Sequence, residues 1–280
     1  MSRRWSAVLV LVAALALAPA ASAASEWTRV GTGITEGVSG LAAASSGGWV
    51  MVRDNKLAGQ TRVALLSDGG TATALTWPGT APADLESIAA VPGQPGRYVV
   101  VGSGGAGRLI NVTGTTLSVV RSFRLPQGTV QNEGFALTTL GASTVAVWGN
   151  RGSPTVPGQL YAAVFNPART TFGAVTSVAV TVPWPTKNIR HISDVVLIGP
   201  RIVISSASDN GNNGPFESAV YEIGTVGLSS GAASLTTGTP VSLGTYPGHK
   251  VEGLACVAGA ELLGTDDENL GGWTTPSTWC

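Results

Sequence analysis

Three glutamates, Glu86, Glu133 and Glu252, each stand just before a short apolar run, in Leu85-Glu86-Ser87-Ile88-Ala89, Asn132-Glu133-Gly134-Phe135-Ala136 and Val251-Glu252-Gly253-Leu254-Ala255. Further carboxylates and amides fall in turn-like stretches: Asp54-Asn55, Asn150, Asp209-Asn210 and Asp266-Asp267-Glu268-Asn269. Oxygen ligands of this kind suit a hard cation, calcium above all. Without a cation, gathered carboxylates would repel and raise one another's pKa. The two histidines, His191 and His249, stand beside Arg190 and Lys250. Imidazole titrates near neutral pH and suits a general base, while the neighbouring cations would hold an anionic group of a substrate. The expected metal ligands are therefore Glu86, Glu133, Glu252, Asp209, Asp266 and Asn269. The expected catalytic residues are His191, His249 and Glu133, and the expected substrate-binding residues are Arg190 and Lys250. An ion that polarises the bond attacked by water gives hydrolysis of a phosphoester, ester or lactone. A structural role is open to the same residues: a Glu at a strand start can bond backbone amides, and Asp or Asn in a turn can bond its own backbone.

These residues are scattered along the chain, so only a fold can gather them. Val38-Ser39-Gly40-Leu41-Ala42 and Ile192-Ser193-Asp194-Val195-Val196 echo the three glutamate phrases. Taking Ser39, Glu86, Glu133, Ser193 and Glu252 as anchors, the steps are 47, 47, 60 and 59 residues. A repeat of that length built from strand signals predicts a β-propeller, one four-stranded sheet per repeat. In the second repeat the strands read Ser87 to Val91, Tyr98 to Val101, Arg108 to Val112 and Leu117 to Leu125, separated by Gly-rich turns. Runs such as Tyr98-Val99-Val100-Val101 are apolar on both faces, as a blade packed between two neighbours requires. The fifth repeat reads as two strands and a third ending in Trp279-Cys280, with no fourth. The spare strand Trp27-Thr28-Arg29-Val30 can close it, giving an all-β, five-bladed propeller with a six-bladed one as the alternative. A β-sandwich would not explain the regular return of the anchors. Adjacent strands are antiparallel, so the start of each first strand and the end of each second share one face. That face collects all the candidate residues.

Composition narrows the function classes. The chain holds 16 basic and 16 acidic residues among 280, and has no basic field for nucleic acid. The start reads as a secretory signal: Arg3 and Arg4, the apolar Val8 to Leu17, then Ala21-Ser22-Ala23. We expect a signal peptide over residues 1–23 and a single secreted propeller domain, monomeric and without a membrane anchor, over residues 24–280. In an oxidising compartment the two cysteines, Cys256 and Cys280, are expected to pair. Gly102-Ser103-Gly104-Gly105-Ala106-Gly107 fits a dinucleotide fingerprint, but a strand-like run follows it where a helix is needed, so it reads as a turn.

The stretch Glu252-Gly253-Leu254-Ala255, followed by Leu262-Leu263-Gly264-Thr265-Asp266-Asp267-Glu268-Asn269, resembles the phrase of secreted phytase-like propellers and is similar to that of gluconolactonase and paraoxonase propellers. The resemblance implies calcium bound by Glu133, Glu252, Asp266 and Asn269, in families that are typically six-bladed. A five-bladed ring with inward carboxylates also resembles the furanosidase and arabinanase architecture, where carboxylates serve as acid, nucleophile or base. Where that architecture has an early Asp motif, this chain has Ser39. A third class is a recognition propeller that binds glycan or protein, with Trp184 and Trp273 as candidate contacts.

Overall fold

The computed structural model describes residues 26–127, 130–257 and 260–280. The expected signal segment lies outside them. Twenty-one strands form five sheets. Blade 1 is β2 (Gly40–Ala43), β3 (Trp49–Val52), β4 (Val63–Leu66) and β5 (Ala72–Leu75). Blade 2 is β6 (Leu85–Ala90), β7 (Arg97–Gly102), β8 (Ala106–Thr113) and β9 (Thr116–Arg124). Blade 3 is β10 (Asn132–Leu140), β11 (Ser143–Asn150) and β12 (Gly158–Asn166), with a broken outer edge of β13 (Thr171–Phe172) and β14 (Thr176–Val180). Blade 4 is β15 (Ile189–Ile198), β16 (Arg201–Ser208), β17 (Glu217–Ser229) and β18 (Ala232–Pro247). Blade 5 is β19 (Val251–Val257), β20 (Ala260–Thr265) and β21 (Gly272–Pro276), completed by β1 (Thr28–Val30). The architecture is an all-β, five-bladed propeller closed by the N-terminal strand.

Five apolar clusters fill the five seams between blades. The residue two after each anchor explains why the seams form. Leu41, Ile88, Phe135, Val195 and Leu254 are all buried, and each belongs to a different cluster. Each side chain enters the seam shared with the preceding blade. Burying these side chains is what holds the ring together, at about 1.5–3 kcal/mol apiece. Backbone bonds lace the same seams: Asp84 N–H to Asn55 O, Asn132 N–H to Ser103 O, His191 N–H to Arg151 O, and Val38 N–H to Thr265 O.

The closing strand pairs antiparallel, Thr28 opposite Thr274 and Val30 opposite Gly272. Trp27 lies against His249, ring centroids 4.0 Å apart, and edge-on to Tyr246. The third strand of blade 5 differs from expectation. It is Gly272–Pro276, and Trp279-Cys280 follows it as a non-strand tail. The Trp279 and Cys280 amides donate to the Glu261 carboxylate at 2.5 and 2.6 Å, an alternative to ladder pairing. Cys280 is bonded to Cys256 on β19, with the α-carbons 6.1 Å apart. In blade 4, β17 and β18 form a ribbon of 13- and 16-residue strands, longer than any strand read in the second repeat. Gly102–Gly107 forms the turn between β7 and β8, with the Gly105 amide bonded to Gly102 O. Among the described residues no helix is long and apolar enough to cross a membrane.

Candidate functional site at the channel mouth

The three glutamates sit at the same irregularity in three blades. Pairing of β6 with β7 passes from Leu85–Gly102 to Ser87–Val101 and skips Glu86. Pairing of β10 with β11 passes from Asn132–Asn150 to Gly134–Gly149 and skips Glu133. Pairing of β19 with β20 passes from Val251–Thr265 to Gly253–Gly264 and skips Glu252. A bulge places one extra residue outside the ladder and re-aims its side chain. Here it aims all three carboxylates into the channel mouth. The glycine after Glu133 serves the same geometry: a Cβ on Gly134 would lie 2.5 Å from Val195 N on the next inner strand. Two residues before Glu86 and Glu133, Asp84 and Gln131 adopt φ of 62° and 53°. Non-glycine residues in this region carry strain that the surrounding fold must impose, and such residues cluster at functional sites.

Blades 1 and 4 depart from the pattern. Ser39 Oγ accepts the Asp54 amide at 3.1 Å, and blade 1 supplies Asp54 itself. In blade 4 the irregularity is wider, from Arg190–Ala207 to Asp194–Ser205. It buries Ser193 and sends Arg190 into the mouth. Asp194, one residue on, accepts the Val195 and Leu254 amides at 2.7 Å each, tying blade 4 to blade 5 beside the axis.

The result is a polar cavity of about 450 Å³, walled by Glu86, Glu133 and Glu252 together with Asp54, Asp84, Asp209 and Glu268, and by Lys56, Arg151, Arg190 and Lys250. Arg190 spans it. Its Nη1 lies 2.9 Å from Glu252 and 3.9 Å from Glu133, and its Nη2 lies 2.9 Å from Asp209. Lys250, itself buried, reaches Glu252 at 3.3 Å and also pairs with Glu268. Arg151 Nη1 is 3.6 Å from Glu133. Among the described residues Glu86 has no cationic partner and no side-chain hydrogen bond. Below the mouth the channel wall turns apolar.

These neighbours give the three carboxyls different acidities. Burial, then repulsion from Glu133 and Glu252, holds Glu86 well above the ordinary range. Burial raises Glu133 to about 8, against the pull of Arg190. Burial also raises Glu252, with Lys250 and Arg190 opposing it. Burial opposes ionisation of Asp209, but Arg190 outweighs it and the carboxyl lies below its usual value. Lys250 is likewise penalised by burial, yet Glu252 and Asp266 raise it above an ordinary lysine. The cavity therefore holds protonated and ion-paired carboxyls side by side, which is what acid–base chemistry needs.

Of the residues expected from sequence, Glu86, Glu133, Glu252, Arg190, Lys250 and Asp209 meet in this cavity. The others do not line it. Asp266 is buried near Arg53 and its carboxylate accepts the Glu268 amide at 3.2 Å. Asn269 donates to Asn213 on the blade 4 loop at 2.9 Å. His191 faces the seam between blades 3 and 4, where Nδ1 accepts the Val182 amide at 3.3 Å and burial lowers its pKa. His249 Nδ1 donates to Asp267 at 2.7 Å and its ring stacks on Trp27. Both histidines serve packing: His191 lies in the irregularity of β15 that follows Arg190, and His249 with Lys250 lies in the turn before β19. Trp184 packs on the core cluster of blades 3 and 4, and Trp273 stacks beneath Arg29. Asp84, Gln131 and Asp194 are the residues sequence reasoning missed. Their positions relative to the anchors were the available signal.

No family model matches the sequence, and no curated protein matches it. The likenesses are structural. A protein described as a glycoside hydrolase superposes over 88% of this chain with a TM-score of 0.51 at 10% identity. This chain spans 62% of that protein's length. An α-L-arabinofuranosidase from Lactobacillus brevis superposes over 89% of this chain and 95% of its own, with a TM-score of 0.50 at 12% identity. An endo-arabinanase from Bacillus licheniformis scores 0.49 at 11% identity, covering 90% of this chain and 96% of its own. At such identities the likeness defines the class by fold: a propeller of the kind found among glycoside hydrolases.

Proposed function

We propose that this chain is a secreted glycoside hydrolase of the furanosidase type. The observation that carries the reading is the meeting of Glu86, Glu133 and Glu252, each on a bulge at an equivalent register, in one polar cavity with unlike neighbours. The fold of the neighbouring glycoside hydrolases supports it. Glu133 is the proton donor. With a pKa of about 8 it is protonated at neutral pH and acidic enough to release its proton to a departing glycosidic oxygen. Glu252, held between Arg190 and Lys250, is the carboxylate that takes a proton from the attacking water. Glu86, its carboxyl held well above the ordinary range by burial and by Glu133 and Glu252, is placed to hydrogen-bond a sugar hydroxyl. Phosphoester or lactone hydrolysis loses ground, because the histidines expected as its bases lie outside the cavity and the two cations expected to hold its anion, Arg190 and Lys250, are paired with carboxylates.

The test is hydrolysis of aryl arabinofuranosides and xylosides, and of arabinan. Glu133→Gln should lose about 100-fold or more on sugar leaving groups yet recover on a dinitrophenyl leaving group, which needs no proton. Glu252→Gln should lose activity on both. Saccharide binding without turnover in the wild type would replace this reading with the recognition module.

A second reading retains a calcium-class ion. Carboxylate oxygens of Asp54, Asp84 and Glu86 lie within 4.8 Å of one another, a donor set that suits calcium. Lys56 now bridges the first two, at 3.3 Å and 2.9 Å. Calorimetric titration of calcium into wild type and Lys56→Met decides it: binding that strengthens in the variant supports the ion, and no heat in either removes it.

A further inference from the structure

A second lobe of about 220 Å³ adjoins the cavity, sharing Gln131, Arg151, Arg190 and Asp209 with its wall and lined also by Ser153 and Asn188. The cations around the mouth differ in how far they are already committed. Arg190 gives two N–H groups to Asp209, at 2.9 and 3.2 Å, and one to Glu252 at 2.9 Å. Lys250 is held by Glu252 and Glu268, and Lys56 by Asp54 and Asp84. Arg151 is different. Its nearest carboxylate is Glu133 at 3.6 Å, and among the described residues its guanidinium makes no hydrogen bond. Its side chain is 25% exposed and lines both lobes.

Asp209 Oδ2 is taken up by Arg190, and the Asn188 amide nitrogen donates to Asn210 at 2.7 Å. The lobe thus presents the Arg151 guanidinium beside an Asp209 charge that Arg190 already meets. The backbone of Arg151 is pinned on both sides: its amide donates to Gln131 O at 3.1 Å, and its carbonyl accepts the His191 amide at 2.8 Å. With the backbone fixed before binding, only the side chain is left to order when a ligand arrives. A planar carboxylate is the group that matches the guanidinium with two parallel hydrogen bonds.

We propose that the second lobe is a subsite for a carboxylate-bearing sugar, with Arg151 as its specificity residue, so that the glycan taken by this protein carries a uronic acid next to the unit held over the glutamates. This rests on the saccharide reading above, but not on turnover. Glu133 supports it: with a pKa of about 8 it is neutral at physiological pH and leaves the charge of Arg151 uncompensated.

The experiment is calorimetric binding of trigalacturonate, of neutral galactotriose and of a sulfated galactotriose to the mature wild-type chain, Arg151→Gln and Arg151→Lys. The uronate should bind about tenfold or more tighter than the neutral trisaccharide, with an advantage that shrinks as salt rises. Arg151→Gln should erase that advantage, and Arg151→Lys should keep part of it. Equal affinity for acidic and neutral sugars in the wild type would overturn the proposal, as would an advantage that survives in a folded Arg151→Gln. A sulfated sugar that binds as well as the uronate would overturn the carboxylate assignment. An Arg151-dependent preference with no hydrolysis would sink only the catalytic reading, and hydrolysis without the preference only this one.

Discussion

At the residue scale, the site is built at a cost. Glu133 is almost fully buried among other carboxyls, and its folded-state pKa of about 8 lies above the ~4.3 of an unfolded glutamate. Between those values the folded chain holds a proton that the unfolded chain has released. Stability therefore falls as pH rises through that window and levels off above about 8. Glu133→Gln removes that titration, so its melting temperature should change less than that of the wild type from about pH 4 to about pH 8. Parallel curves for the two would contradict the burial argument. Asp194 has the opposite character, a buried carboxyl that satisfies two amides. Asp194→Ala leaves both amides unpaired and should cost about 3 kcal/mol in urea unfolding. A loss under about 0.5 kcal/mol would mean that the amides find other partners. The identities of these residues were legible in sequence, but not their environments. His191 and Arg190 are adjacent, yet one faces a seam and the other the mouth, and the widened irregularity of β15 decides which.

At the element scale, the last blade depends on two distant pieces of chain. β1 covers the edge of β21, and its Val30 is fully buried. Deleting residues 26–30 should leave an open strand edge and produce concentration-dependent aggregation, measured by light scattering. An unchanged melting curve and a monodisperse sample would contradict closure by this strand. The Cys256–Cys280 bond staples the tail to β19 across 24 residues. Cys280→Ser should cost about 3 kcal/mol, since a loop of that size restricts the unfolded chain by roughly this amount. The strand spans of blade 2 followed closely from apolar runs and glycine turns. The long β17–β18 ribbon did not, because its glycines read as breaks in a sequence, whereas Gly227 pairs regularly with Ser234 and Gly224 and Gly238 sit at an irregularity of the ladder.

At the scale of the whole molecule, the ring makes a site from residues that no local motif contains. Glu86 comes from blade 2, Glu133 from blade 3, Arg190 from blade 4 and Lys250 with Glu252 from blade 5. Arg190 bonds across a seam to Glu252, so ring closure and site assembly are linked. Opening the ring by removing β1 should weaken trigalacturonate binding along with stability. An opened ring that binds undiminished would show that the site does not need closure.

The sequence by itself determined the repeat, the number of blades, the closing strand, the cysteine pair and the face on which the carboxylates gather. These follow from local periodicity, from spacing and from the pairing rules of antiparallel strands, which act residue by residue. Only the tertiary structure decided which charges neutralise which. Arg190 and Lys250 read as hands for an anionic substrate, but they are spent on Glu252, Asp209 and Glu268, while Arg151 keeps only a 3.6 Å contact with Glu133 among the described residues. The sequence could not settle this, because ion pairing depends on angstrom-scale distances between side chains of different blades. Those distances are set by where each bulge falls and by how tightly the seams close.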